Sequence, residues 1–243
     1  MNTRWLEKAS ATLGIAGFGF FVFSVAAMAL GPVVMLRKVP MQRVEEISQQ
    51  VIPDFYDLLV RYPDEFKKYF GDPGDPPDEA KMRQYFAEAL RLGRKVYIAE
   101  GCWHCHSQFV RPLADEQLRF GLTSWAAEHQ NELQLPPLFG TRRVGPDLIR
   151  EAGVRSNDWH AAHFYDPQAV VPDSVMPRFT WFFEERKTPY ENGVKIVPNR
   201  RGLAIITYVQ WLGSWVRPPT EGAPLTASES AESPGERNLS MNR

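Results

Sequence analysis

The chain has 243 residues, is 44% hydrophobic and carries a formal net charge of −1, which leaves room for one medium-sized domain plus additional segments. A charge so nearly balanced gives no sign of nucleic-acid binding, and no internal repeat is evident. The only two cysteines are Cys102 and Cys105, so cysteine usage says nothing about structural disulfides.

Residues 11 to 36, ATLGIAGFGFFVFSVAAMALGPVVML, carry no charge. As helix they reach roughly 39 Å, enough to cross a ~30 Å hydrocarbon core with some tilt. Gly31-Pro32 is placed to kink one end. A cleaved signal peptide is the competing reading, with Arg4 and Lys8 as its basic start and Ala27-Met28-Ala29 as its cleavage site. The apolar run is longer than such a segment needs and continues to Leu36, so a retained transmembrane helix is expected. Basic residues stand on both sides of it, Arg4 and Lys8 before and Arg37, Lys38 and Arg43 after. Charge alone therefore does not set the orientation.

Residues 37 to 78 are expected as an extramembrane segment outside the main domain. Its part from 40 to 70 reads as polar, amphipathic helix with Val51, Ile52, Phe55, Leu58 and Leu59 as apolar positions. GDPGDPPDE, residues 71 to 79, breaks regular structure and reads as a linker. Asp78 is placed to cap a helix over 79 to 99. Along it, Met82, Tyr85, Phe86, Ala89, Leu92, Val96 and Tyr97 recur at three- and four-residue steps and define one apolar face. Gly93 interrupts that face and lets another helix cross closely. Residues 201 to 216 predict the partner, with a packing stripe of Leu203, Ile206, Tyr208, Val209 and Leu212. Between the two helices, residues 188 to 197 read as a hairpin around Asn192-Gly193. The tail, 217 to 243, has almost no large apolar group and is expected to be disordered. The main domain is thus expected over 79 to 216.

The stretch EGCWHCHSQFVRP, residues 100 to 112, holds both thiols and a histidine directly after them. A redox dithiol would use Cys-x-x-Cys with a lowered thiol pKa, but it leaves His106 without a role and expects a βαβ setting that the pattern does not offer. A zinc site needs a second pair of ligands at metal spacing, and neither a second cysteine pair nor a matching histidine pair exists. A c-type haem uses all three residues, Cys102 and Cys105 through thioether links and His106 as an iron ligand. Haem is therefore the expectation.

Iron held by His106 needs a sixth ligand or an open site. Of seven methionines, Met1, Met28 and Met35 lie in or before the apolar run, Met41 and Met82 precede the motif, and Met241 is in the tail. Met176 remains, in PDSVMPRFT, where Pro172 and Pro177 stiffen the loop. It is expected as the second axial ligand rather than as a core gap-filler. His104 sits between the cysteines and cannot reach the opposite haem face. His129, in a polar stretch, is expected to be exposed. His160 and His163, three apart on a predicted helix, offer a bis-histidine alternative but are expected as hydrogen-bonded structural residues or partner contacts. His/Met ligation raises the reduction potential, which suits electron delivery towards oxygen. A six-coordinate iron has no vacancy for substrate, so no catalytic residue is assigned to this chain.

Two terminal helices crossing beside such a motif resemble the frame of class I cytochromes c. VGPDL, residues 144 to 148, resembles their Gly-Pro-x-Leu loop, whose proline carbonyl accepts a hydrogen bond from the ligand histidine; Pro146 would do this for His106. Arg142 and Arg143, just before it, are expected either to neutralise haem propionates or to be solvated. EGCWHCHSQFVRP, RRVGPDL (142 to 148) and NDWHAAHFYDPQAVVPDSVMP (157 to 177) are more restrictive. With the N-terminal apolar helix they resemble the mono-haem subunit (subunit II) of cbb3-type cytochrome c oxidases. One departure is HQNELQLPPLFG, residues 129 to 140, which stands where such subunits carry a tyrosine-rich stretch.

The resemblance implies a mainly α fold, an N-terminal single transmembrane helix followed by a class I cytochrome c domain. It implies one covalently bound haem c, with Cys102 and Cys105 as thioether links and His106 and Met176 as axial ligands. Electrons would come from a di-haem or other cytochrome c donor and pass to the haem–copper catalytic subunit I of a terminal oxidase, where oxygen is reduced. Ser107, Gln108 and Arg111 would face that subunit, and calcium at the interface would have Ser107 as a contact. Residues 1 to 10 would lie on the cytoplasmic side of the bacterial inner membrane and the haem domain on its outer, periplasmic side, where c-type haem is attached. Membrane lipid is then a further partner. A subunit of a related nitric oxide reductase and a freestanding anchored electron shuttle are the alternatives within the haem reading. A dithiol oxidoreductase on a membrane stalk and an open-site haem peroxidase or sensor stand outside it.

Overall fold

In the computed structural model, which describes residues 4–37, 39–187 and 193–215, the uncharged N-terminal run is helical: α1 (Arg4–Val25), a π turn (Ala26–Leu30) and α2 (Gly31–Leu36). The stretch Lys8–Met35 is long and apolar enough to cross a membrane, with a mean hydropathy of 2.2. Pro32 has no N–H for the carbonyl four residues back, and its ring crowds that carbonyl. The helix widens just before it, so that the Gly31 N–H donates to the Ala26 carbonyl five residues back. The anticipated kink is thus taken up as a π turn. This unit ends at Met41, and the rest of the chain, from Gln42, forms a second unit.

The second unit contains α3 (Val44–Ile47), α4 (Pro53–Arg61), α5 (Pro63–Tyr69), α6 (Glu79–Ala99), α7 (Cys102–Cys105), α8 (Glu116–Phe120), α9 (Asn157–Tyr165), α10 (Pro167–Val170), β1 (Phe183–Lys187), β2 (Val194–Pro198) and α11 (Arg200–Trp211). The segment expected to be one amphipathic helix outside the domain is three helices inside it. Pro53 and Pro63 open α4 and α5, where a missing N–H has no helical partner to lose. Phe55, Leu58 and Phe66 are fully buried. The Phe55 ring lies 5.1 Å from Phe66 and 5.2 Å from Phe86 of α6, so these helices share one core with the rest. Nor is GDPGDPPD a free linker. Pro73 is buried, its carbonyl accepts the Asp78 N–H at 2.9 Å, and Asp72 Oδ1 accepts the Gly74 N–H at 3.0 Å. Because the aromatic rings on both sides pack together, the prolines make a fixed turn rather than a tether.

Asp78 caps α6 as its sequence position predicts, accepting the Lys81 N–H at 2.8 Å. Helices α6 and α11 cross at Gly93, where an added Cβ would lie 2.2 Å from the Ala204 carbonyl oxygen and 2.5 Å from Tyr208 Cβ. The Tyr97 and Tyr208 rings meet at 5.5 Å beside that crossing. The stripe expected on α11 is an underestimate, since every residue from Gly202 to Trp211 is buried. The reason is that α4, α5, α9 and β2 pack around the faces that α6 leaves uncovered. Strands β1 and β2 pair antiparallel from Phe183↔Pro198 to Lys187↔Val194. The ladder therefore starts earlier than the predicted hairpin, and residues 188–192 of that prediction lie outside the described residues. The tail 217–243 lies outside them as well.

Candidate functional site

Helix α6 ends at Ala99, and Gly101 turns the chain with φ +70°, a left-handed conformation that glycine adopts without strain. That reversal starts α7, one turn of helix with Cys102 at its beginning and Cys105 at its end. Both thiols are free, Cys102 half-buried and Cys105 exposed. The His106 N–H donates to the Cys102 carbonyl at 2.9 Å, and the His106 carbonyl accepts the Tyr97 hydroxyl at 2.9 Å. Its ring Nδ1 is 2.9 Å from the Pro146 carbonyl oxygen. A carbonyl only accepts, so Nδ1 carries the proton and Nε2 keeps its lone pair. Burial pulls the His106 pKa down, against the opposing effect of Pro146, which keeps that lone pair unprotonated.

The loop 142–148 is laced to the motif by three backbone bonds. Arg142 N–H donates to the His104 carbonyl, Gly145 N–H to Cys105 and Leu148 N–H to Ser107, at 3.1, 3.1 and 2.9 Å. Gly145 lies flat against the imidazole, and a Cβ there would sit 2.2 Å from His106 Cε1. The structure thus brings Pro146 to His106, as the sequence predicts. It separates the two arginines. Arg143 Nη2 lies 2.8 Å from Glu116 Oε2, and its Nη1 donates to the Phe109 carbonyl at 3.2 Å. Arg142 is exposed. Both line a cavity of about 580 Å³ with Arg111, Leu113, Val144 and Pro146. Met176 is half-buried against the core, and its N–H donates to Ser174 Oγ at 3.3 Å. The Arg178–Asp166 ion pair, at 3.0 Å, fastens the same loop to the end of α9.

The remaining histidines fall into distinct settings. His104 is exposed and stacks on Trp103 at 3.9 Å. His129 is not exposed as its polar neighbours suggested but 6% exposed, because Phe109 and Phe139 close over it at 5.8 and 6.3 Å. His160 is buried with Nε2 3.7 Å from Glu151 Oε1. His163 stacks on Trp159 at 4.5 Å. Burial lowers its pKa, and His106 is close enough to add to the effect.

Two residues expected at a partner surface are inside. Ser107 is 1% and Gln108 0% exposed. The Gln108 Oε1 accepts from Gln134 Nε2 and from the Tyr208 hydroxyl, each at 3.2 Å. The chain after His106 runs between α11 and the 131–135 loop, which turns these side chains inward. Among the described residues no group of three or more His, Cys, Asp and Glu side chains forms a metal cluster. Sequence reasoning gave no role to Glu116 or Asp147, and placed Tyr97 on the apolar face of α6 without its hydroxyl bond to His106. Asp147 lies inside the VGPDL stretch, the one available signal; nothing in the neighbouring sequence singles out Glu116.

Burial and the Glu100 carboxylate push the Cys102 thiol up to about 12. That is opposite to the lowered pKa of an exchange-active dithiol. The model of the family described as "Cytochrome C oxidase, mono-heme subunit/FixO" matches residues 76–200, just over half of the chain. A search of curated proteins found no match.

Proposed function

The chain belongs to the FixO family of mono-haem cytochrome c oxidase subunits, and on that premise we propose that it carries single electrons from a donor cytochrome to the haem–copper subunit of a cbb3-type oxidase. Family membership supplies one haem and an oxidase catalytic subunit as partner. Covalent attachment, the axial pair, the donor and the sidedness belong to the proposal.

The observation that carries it is the state of His106. It follows the only thiol pair directly, its Nδ1 proton is tied to Pro146, and its Nε2 lone pair is left available. Gly145, having no side chain, leaves room for the ring to pack against the loop. These residues fit a c-type haem. Cys102 and Cys105 would hold the vinyl-derived edges by thioether bonds, and His106 and Met176 would bind the iron. Arg142 is the better candidate for a propionate, since Arg143 is engaged by Glu116. When bound, the haem supplies a one-electron ferric/ferrous couple whose potential His/Met ligation raises.

The protein's own contribution is to fix distance and orientation. Tyr97 and the three loop bonds hold the motif, and the α6–α11 crossing makes its platform rigid. Exposed Phe139 and Val144, 51% and 57%, stand in loops bonded to either side of the motif. They offer apolar contact for a redox partner without a tightly specific interface. The N-terminal apolar helix supports membrane anchoring; that the haem domain lies on the outer face follows from the covalent attachment proposed for it.

The test is a denaturing gel of detergent-purified complex stained for haem, with mass spectrometry of the intact complex. The expected result is a haem-staining band near the chain's 27.8 kDa, one haem on this chain, and co-purification with a many-helix haem–copper subunit. A colourless, thiol-titratable chain would defeat the haem reading. Haem-positive chain purifying alone would favour a freestanding shuttle.

A further inference from the structure

The loop that carries Pro146 is joined to the 109–116 segment through buried carboxylates. Glu116 opens α8 and is 6% exposed. Its Oε2 accepts the Arg111 backbone N–H at 2.9 Å and Arg143 Nη2 at 2.8 Å, and its Oε1 accepts Arg111 Nε at 2.5 Å. Asp147 accepts the Phe109 and Ile149 N–H groups, each at 2.9 Å. Arg143 Nη2 lies 3.8 Å from the Asp147 carboxylate, whose side chain is fully buried. Two carboxylates thus face two guanidiniums, and the buried members are mutually satisfied. Arg143 also holds φ +51°, a left-handed backbone that a non-glycine residue keeps only where its surroundings over-determine it. Pro146 stands between these two anchored residues, one position before Asp147 and three after Arg143.

We propose that the Glu116–Arg143–Asp147 cluster is a positioning device for His106, locking the 143–147 loop so that the Pro146 carbonyl stays on Nδ1. The proposal rests on the reading of His106 as an iron ligand. A carbonyl held on Nδ1 fixes the tautomer and the ring orientation and makes Nε2 a stronger donor. A stronger donor favours ferric iron. Loosening the loop therefore raises the ferrous fraction at a given ambient potential.

The experiment uses the detergent-purified complex carrying Glu116→Gln or Arg143→Gly. The first keeps shape and loses a negative charge. The second loses a positive charge while relaxing the left-handed backbone. Positioning moves both variants the same way: the ferrous-to-ferric ratio of this haem at fixed potential rises, and its low-spin ferric EPR signal changes shape. A through-space charge effect moves the two in opposite directions, and that result, or no change in either, would overturn the proposal. Arg143→Lys keeps the charge but not the forked geometry. It must shift the ratio upward too, and it decides the matter if the other two do not mature. Glu88→Gln, which breaks a pair with Arg200 away from the loop, leaves the ratio unchanged. Absence of haem stain in the wild-type band would sink the haem reading itself and is seen separately from all of these.

Discussion

Met176 and Glu151 show how one side chain can be tested apart from its neighbours. If Cys102 and Cys105 hold the haem by thioethers and Met176 binds its iron, Met176→Leu keeps haem on the chain. It removes the far-red absorption of the methionine–ferric bond and lowers the reduction potential, as redox titration of the complex would show. An unchanged spectrum would exclude Met176. Glu151 concerns stability. Burial raises its carboxyl pKa to about 7, partly offset by Arg155, and burial lowers His160 to about 3, aided by His163 and Arg155. At 3.7 Å the two are both neutral between about pH 3 and pH 7 and do not form an ion pair there. Because the folded-state pKa of Glu151 is raised, the folded chain holds its proton while the unfolded chain has released one. Its contribution is fully present below about pH 4.5 and is lost as pH climbs through about 7. For His160 the folded value is depressed, so stability is lost as pH falls from about 6.5 towards 3. Glu151→Gln is therefore expected to stabilise by on the order of 3 kcal/mol at about pH 8 and hardly at all at about pH 4. Chemical denaturation at the two pH values checks this.

Between elements, the α6–α11 crossing sets the platform from which the thiol motif projects. At Gly93 the obstructing atoms are the Ala204 carbonyl and Tyr208 Cβ, which cannot swing aside as a side-chain tip could. Gly93→Ala is expected to destabilise the domain by about 2 kcal/mol or more, since overpacking forces backbone shifts. A urea melt followed by haem absorbance and by far-UV dichroism would show both signals moving together. The sequence read this crossing correctly, because a glycine on an apolar helical face is a local signal. It misjudged α11, whose full burial depends on α4, α5, α9 and β2, elements distant in the chain.

For the molecule as a whole, the question is where the haem-carrying unit begins. Phe55 is fully buried and touches both α5 and α6. Phe55→Ala is expected to cost about 3–5 kcal/mol, measured as loss of folded, haem-staining protein on denaturant titration. A helix lying outside the main domain, as expected from sequence for residues 40 to 70, would not notice the change. The sequence by itself determined the apolar N-terminal helix, the Asp78 cap, the α6 face, the Gly93 crossing and the Cys-x-x-Cys-His spacing with its Gly-Pro loop. Each of these is written in local period, capping or spacing. Only the tertiary structure decided that residues 44–70 belong to the core and that Ser107, Gln108 and His129 are interior. It also decided that Arg143 is joined to Glu116 while Arg142 is exposed. The physical reason is that burial of a polar group, or of one more face of a helix, is fixed by which distant segments arrive beside it. No window of neighbouring residues contains that information.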